Sequence, residues 1–287
     1  MTVALRGIGS IYILESLPPG HLRTGERIFD EIEGPARATS PGIVSYYCKV
    51  PSAKAIFDCL ESIRADVTAS GRSPIVQIEA HGADDESGLV LASGELLPWG
   101  QLKAPLTAIN ITCRLNLLVV VAACNGRGLL EIVQPTDRAP VWGLIGPNRV
   151  VKAGEVEVAN RAFYRTLFSE RDGGIAWQAM NAAVDPLAKS YSFFGALAVF
   201  RFVFAGYLAT EGTPEALARR RKAVIARLVS DGLDPDLVHA GEPALTAYIG
   251  NHQARFDEAR AHFFFVDLCP DHRERFPITL GECQIAD

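Results

Sequence analysis

Two places in the 287-residue sequence join a chemically capable side chain to a setting that can aim it. The apolar run Pro74-Ile75-Val76-Gln77-Ile78-Glu79-Ala80 ends in His81-Gly82. The run Leu117-Leu118-Val119-Val120-Val121-Ala122-Ala123 ends in Cys124-Asn125-Gly126. A histidine and a cysteine, here 43 residues apart, are the components of a thiol nucleophile. The imidazole takes the thiol proton or stabilises the thiolate, then returns the proton to a leaving amine. A glycine close behind each residue permits a tight turn and close backbone approach. The backbone N–H groups of Gly82 and Cys124 are then the candidate oxyanion donors, usually the largest stabilising influence in acyl transfer. His81 and Cys124 are accordingly the expected catalytic pair. Glu79, two residues before His81, shares its strand face; it orients the imidazole or merely lies at a strand edge, and is not counted as catalytic.

The elements that must position this pair can be read from apolar patterning. Strands are expected at Ser10–Leu14, Ile43–Val50 (β-branched and aromatic), Pro74–Ala80, Leu117–Ala123 and Val141–Gly146, with a hairpin around Ser93-Gly94. Helices are expected near 26–33, over 53–67 behind Pro51-Ser52, over about 98–115, at 129–133 and over 154–168. The second of these carries Ile56, Leu60, Ile63 and Val67 on one face. Alternating strands and helices with near-continuous apolar strands predict an α/β fold, a mostly parallel sheet covered by helices on both faces. Reactive groups in such sheets gather beyond the carboxyl ends of the strands, where both His81 and Cys124 fall.

Composition narrows the function classes. Hydrophobic residues make up 48% of the chain, which excludes intrinsic disorder. The net charge of −5 argues against direct nucleic-acid binding, which needs a positive face. Six cysteines (Cys48, Cys59, Cys113, Cys124, Cys269, Cys283) form no C-x-x-C pair, and a chain with a large core needs no staples. The first residues, Met1 to Gly7, lack the basic and apolar regions of a signal peptide, so a reducing cytoplasm is expected. There is no G-x-S-x-G, P-loop or H-E-x-x-H, and Cys269-Pro270-Asp271-His272 with Cys283 fits no common zinc spacing. No cofactor or metal is expected.

The order apolar strand, His-Gly, some forty residues, apolar strand, Ala-Cys-x-Gly resembles the caspase-like cysteine peptidases, which include caspases, metacaspases, separases, gingipains and the bacterial CHAT proteins. Ala123-Cys124-Asn125-Gly126 is similar to the caspase Q-A-C-R-G segment, with Ala122 in place of Gln and Asn125 in place of Arg. Trp142-Gly143-Leu144-Ile145-Gly146 with Ala162-Phe163-Tyr164-Arg165-Thr166-Leu167 is similar to CHAT proteins. The resemblance implies a caspase-like fold and a cysteine endopeptidase acting on a protein substrate through a His81–Cys124 dyad. For substrate choice it offers two segments. Leu22-Arg23-Thr24-Gly25 resembles the caspase segment whose Arg grips an aspartate. Asp84-Asp85-Glu86 can instead attract Arg or Lys, and the CHAT-like segments tilt the reading towards this acidic pocket and cleavage after a basic residue. The alternative function is a non-catalytic scaffold or partner-binding subunit of the same fold.

Only residues 125–140 separate Cys124 from the next strand, too little for a cleaved activation linker, so the chain is expected to act uncut. Control then falls to an activating protein partner, a ligand or homo-oligomerisation. The resemblance to bacterial relatives further implies a role in antiviral defence. Two domains are expected, a peptidase domain over 1–209 and a helical C-terminal extension over 210–287. Within the first, Tyr191–Ala209 is apolar and aromatic, but Arg201 in its middle is costly in lipid and the flanks carry no basic asymmetry. A buried strand or helix is the expectation there, a membrane-anchored regulator the minor reading. The basic run Arg219–Lys222 precedes Val224, Ile225 and Leu228 at helical spacing and reads as a solvated helix face.

Overall fold

The computed structural model describes residues 7–39, 41–130, 133–184 and 190–284. The chain divides into two compact units, one built from residues up to 133 with 138–196, the other from 134–137 with 197 onward. The division falls at 196, whereas the sequence reading set it at 209.

In chain order the first unit contains β1 (Ile8–Glu15), α1 (Thr24–Ala38), β2 (Val44–Lys49), α2 (Ala53–Ser70) and β3 (Ser73–Glu79). A small hairpin group follows: β4 (His81–Gly82), β5 (Gly88–Val90) and β6 (Leu96–Pro98). Then come α3 (Trp99–Thr112), β7 (Leu118–Ala122), a 3-10 turn (Gly126–Leu130), β8 (Gly143–Pro147), α4 (Ala153–Glu170), α5 (Gly173–Val184) and β9 (Tyr191–Gly195). The main sheet has the order β2-β1-β3-β7-β8-β9. All its neighbours are parallel except β8 and β9, while β4-β5-β6 form a separate antiparallel sheet. The expected α/β class, a mostly parallel sheet flanked by helices with a helical C-terminal region, is what the chain adopts.

The two faces of the sheet differ. On one, Val76, Ile78 and Ala80 of the β3 run and Val119, Val121 and Ala123 of the β7 run pack with Ile56, Leu60, Ile63 and Val67 of α2 and Leu102, Leu106 and Ile109 of α3. The α2 positions are those that the helical period singles out; Ser52 caps the helix by accepting from Ala55 N–H, and Gly71 ends it in the left-handed region (φ 67°). Burying each Ile or Leu fully contributes about 1.5–3 kcal/mol, so this face holds the sheet flat side together. The other face carries α1 and α4. There the core is partly polar: Tyr164 Oη donates to Gln77 Oε1 (2.6 Å), and Thr24 Oγ1 donates to Glu79 Oε2 (2.6 Å).

Several local expectations are corrected. The helix placed at 26–33 runs from Thr24 to Ala38 despite Pro35. The helix placed at 129–133 is the 3-10 turn Gly126–Leu130, since a run this short closes i to i+3 bonds readily; residues 131–132 lie outside those described. Tyr191–Ala209 is neither one strand nor one helix. Its first five residues form β9, pairing antiparallel with β8, and the remainder opens α6 (Ala196–Glu211). Among the described residues, no helix is long and apolar enough to cross a membrane.

The second unit is helical: α6, α7 (Pro214–Ser230), α8 (Pro235–Ala240), α9 (Glu242–Ile249), α10 (His252–Phe263), α11 (His272–Arg275) and α12 (Leu280–Gln284). Its core is aromatic: Phe200, Phe204, Phe256, Phe263, Phe264 and Phe276 are buried, with neighbouring ring centroids 4.8–5.8 Å apart. The basic run lies on α7, where Arg219 and Arg220 pair with Glu211 and Arg221 pairs with Glu242.

The start of β7 depends on one buried amide. Arg114 and Leu115 both take left-handed φ (53° and 56°), a conformation that disfavours residues with a Cβ. Asn110, fully buried at the end of α3, compensates. Its carbonyl accepts from Leu115 N–H (2.8 Å), its side chain accepts from Leu117 N–H (3.1 Å), and its Nδ2 donates to Ala139 (2.8 Å). Asn110→Ala leaves a buried N–H and a buried C=O without these partners, and is expected to cost about 2–3 kcal/mol of unfolding free energy. Urea denaturation measures it; a loss below about 0.5 kcal/mol would mean that the turn holds itself, given that surface substitutions typically fall within that range.

Candidate functional site

β1, β3 and β7 lie side by side and in parallel, with Glu15 opposite Glu79 and Glu79 opposite Ala122. The chain continues two residues past the end of each of the last two strands, to His81 and to Cys124. Both residues therefore emerge at the same edge of the sheet, from neighbouring strands, at matching distance past the last paired position. They line one cavity of about 90 Å3, together with His21, Leu22, Thr24, Glu79, Ala122, Val151 and Val156 among others.

Cys124 is held at a sharp turn. Its Sγ donates to the Val151 carbonyl at 3.9 Å, and the next residue, Asn125, takes φ 54°. The left-handed residue of this turn is therefore Asn125 and not Gly126; among residues with a Cβ, Asn is one of the few that tolerate that region. Gly82 does serve close approach. A Cβ there would lie 2.2 Å from the Cys124 carbonyl oxygen and 3.1 Å from Cys124 Cβ, so the Gly82 backbone packs directly on Cys124. The residues expected to form an oxyanion hole are thus in backbone contact with each other.

His81 has a partner that sequence reading missed. Its Nε2 lies 3.0 Å from Nδ1 of His21, which belongs to the loop after β1, and the two rings meet edge to face with centroids 5.0 Å apart. Partial burial lowers the His81 pKa, and the nearby His21 charge lowers it further.

Beneath these groups lies a buried carboxylate pair. Glu15 and Glu79 are register partners, 4% and 1% exposed. They are satisfied differently. Glu15 accepts from Arg23 Nε (2.9 Å), from Tyr47 Oη (3.0 Å) and from Glu26 N–H (3.1 Å), so it has a cation. The hydrogen-bond partners of Glu79 are neutral: Thr24 Oγ1, and Gln77 Nε2 in a short bond. Burial pushes the Glu79 carboxyl up to about 7; the bonds from Thr24 and Gln77 hold it back, and the Glu15 charge adds to the rise. Gly25 fits between the two acids, where a Cβ would lie 3.0 Å from both Glu15 Oε2 and Glu79 Cγ. On the same face of α4 as the cavity residue Val156, Asn160 is fully buried with neither amide atom hydrogen-bonded.

The substrate-pocket residues expected from sequence are not brought to this cavity. Asp84 and Asp85 sit in the exposed turn between β4 and β5, where Asp85 accepts from Ser87 N–H (3.1 Å) and Ser87 Oγ (2.6 Å) and so closes the turn. Arg23 is turned to Glu15, Glu26 and Tyr47, while its neighbours Leu22 and Thr24 line the cavity. The acid at the cavity is Glu79, whose strand position two residues before His81 was the available signal. The six cysteines form no disulfide, and among the described residues no cluster of His, Cys, Asp and Glu could hold a metal ion. In a larger cavity of about 600 Å3 in the helical unit, lined by Tyr207, Arg220, Arg255 and Glu258 among others, Arg220 is engaged by Tyr207 and Glu211, and Arg255 by Glu258 and the Tyr248 ring.

The buried acid makes stability depend on pH in a defined direction. A carboxyl whose folded pKa lies above its ordinary 4.5 holds its proton in the folded state after the unfolded chain has lost it. Its contribution is therefore fully present below pH 4.5 and is lost as pH rises through about 7. Glu79→Gln stays neutral throughout, so its stability relative to the native protein should improve between pH 5 and pH 8, by up to about 3 kcal/mol. Urea unfolding at both pH values checks this, and an equal difference at the two would refute it. The site is legible only through its own chemistry, because no protein-family model and no curated protein sequence matches the chain.

Proposed function

We propose that the chain is a cysteine endopeptidase of the caspase-like kind, acting through a His81–Cys124 dyad. The observation that carries this reading is the delivery of imidazole and thiol by adjacent parallel strands, equally far past their paired ends, into one cavity. Cys124 attacks the scissile carbonyl carbon through sulfur, and His81 accepts the thiol proton and gives it to the departing amine as the C–N bond breaks. A water molecule then hydrolyses the acyl-enzyme by the reverse sequence of proton transfers. The N–H groups of Gly82 and Cys124, two residues in backbone contact, are the proposed donors to the oxyanion.

The substrate residue before the scissile bond is proposed to be Arg or Lys. Glu79 lines the cavity with neutral partners only, and a buried carboxylate without a cation is costly unless one arrives. A guanidinium or ammonium group entering the cavity supplies it. Binding then ionises Glu79 and releases its proton, so basic substrates should bind more tightly above pH 7 than below it.

The test uses fluorogenic peptides that differ only in the residue before the scissile bond, with a peptide electrophile as active-site label. Cleavage after Arg or Lys, labelling at Cys124, a loss of at least about 1,000-fold for Cys124→Ala and of about 100-fold or more for His81→Ala are expected. The KM for basic peptides should fall as pH rises through 7, and Glu79→Gln should remove that dependence. Absence of labelling at Cys124 would refute the peptidase; cleavage with no preference for Arg or Lys would refute the assigned pocket alone.

A further inference from the structure

The hydrogen bond between His21 and His81 restricts how the proposed dyad can work, and the inference here rests on that reading. Two imidazole nitrogens 3.0 Å apart share one proton between them. Nε2 of His81 is occupied by this bond, so Nδ1 is the nitrogen left for the Cys124 thiol. Two arrangements are possible. If His21 Nδ1–H donates to His81 Nε2, then His81 carries its own proton on Nδ1 and cannot accept another from the thiol. If His81 Nε2–H donates to His21 Nδ1, then His81 Nδ1 bears a free lone pair, and His21 keeps its proton on Nε2. Only the second arrangement makes His81 a base.

We infer that His21 is a positioning residue: as acceptor of the His81 Nε2–H, it selects the tautomer of His81 whose Nδ1 can take the thiol proton. When Cys124 sulfur bonds to the carbonyl carbon, its proton passes to His81 Nδ1, giving an imidazolium whose Nε2–H still points at the His21 lone pair. When the C–N bond breaks, the same proton leaves from Nδ1 to the amine, and the Nε2–H bond to His21 persists throughout. The ring therefore keeps one orientation through both proton transfers, which is what an exposed base at a strand end would otherwise lack.

The ionisable groups around His81 come from several elements. His21 faces it from the loop after β1, Glu79 and Cys124 line the same cavity from β3 and β7, and Asp84, Asp85 and Glu86 follow on its own hairpin. The approach to α4 contributes apolar Val151, Ala153 and Val156 to the cavity, with Glu155 turned to Arg149. Of these, His21 is the group in direct contact with the imidazole.

The experiment compares His21→Gln, whose amide oxygen can accept but which carries no charge, with His21→Leu, which can do neither. Imidazole 15N resonances, recorded in a Cys124→Ala background without substrate, report the tautomer and titration of His81 independently of turnover. The expected result is an Nε2–H tautomer of His81 in the parent and in His21→Gln, and its loss in His21→Leu. In the Cys124-containing enzyme, kcat should fall by about tenfold or more for His21→Leu at unchanged KM, and stay within about threefold for His21→Gln. A parent His81 protonated on Nδ1, or a tautomer unchanged in His21→Leu, would overturn the inference even if the enzyme cleaves peptides. Should the tautomer follow the pattern while the parent shows no thiol-dependent cleavage, the dyad reading fails and the positioning role fails with it.

Discussion

Two carboxylates placed side by side in the interior constrain this structure more than any other interaction. Glu15 and Glu79 stand opposite each other on adjacent strands, both almost wholly buried. Like charges at that spacing and in that environment cannot both ionise freely, and the surroundings divide the roles. The segment that enters α1 supplies Arg23 to Glu15 and Thr24 to Glu79, and β2 supplies Tyr47 to Glu15. Three consecutive residues, Arg23, Thr24 and Gly25, thus answer the pair: a cation, a hydroxyl donor, and a residue without a side chain where the acids crowd. The beginning of α1 is fixed by what the strand ends demand, although Arg23, the residue at its cap position, offers no side-chain cap.

The same pair explains why the faces of the sheet are unequal. The α2/α3 face is apolar and would pack with almost any set of matching volumes. The α1/α4 face must satisfy Gln77 and Glu79, and it does so in sequence: Tyr164 donates to Gln77, Gln77 to Glu79, and Thr24 to the other oxygen of Glu79. Ion pairs along the outer side of these helices, Arg27 with Glu157 and both Arg161 and Arg165 with Glu31, tie α1 to α4 at the surface. Exposed pairs of this kind contribute little individually. The buried polar chain is the stronger constraint on how α4 sits, because each of its members is costly if left unpaired.

Much of this was legible in the sequence, and the parts that were not have physical reasons. The parallel sheet followed from continuous apolar strands, and α2 from Ile56, Leu60, Ile63 and Val67, because period and burial act locally. His81 and Cys124 could be placed at strand ends because a strand end is marked by where apolar residues stop. The partners of those residues could not be read in the same way. His21 comes from a Pro-Pro-Gly loop 60 residues before His81, and loop geometry has no period. Glu15 directly follows the apolar run Ser10–Leu14, a position where a solvated acid is ordinary; only the parallel register with Glu79 makes it half of a buried pair. Asp84 and Asp85 looked like an acidic subsite because three acids, Asp84-Asp85-Glu86, follow the histidine closely, but Asp85 is consumed by accepting from Ser87 in a tight turn. The break inside Tyr191–Ala209 was hidden because a strand and a helix can share one apolar composition, and the edge of the β8 strand decides where the strand ends.

The parity of a strand gives the candidate site its particular character. Side chains two apart on β3 share a face, so a residue two before an imidazole at the strand end must sit below it, on the cavity side. An apolar residue there would make that floor inert. A serine would make it a neutral donor. Glutamate places a carboxyl there whose proton affinity is set by burial, and burial holds it up to about 7, in the range where imidazole groups also titrate. In the proposed peptidase, the floor of the cavity therefore changes charge with what enters above it: it keeps its proton beside an apolar or acidic group and ionises beside a cation. Selectivity of this kind needs no preformed ion pair, and so avoids the desolvation of a permanent buried charge in the empty site. Glu15 makes the arrangement sharper, because its own charge, kept by Arg23, raises the cost of ionising Glu79 until a compensating cation is present.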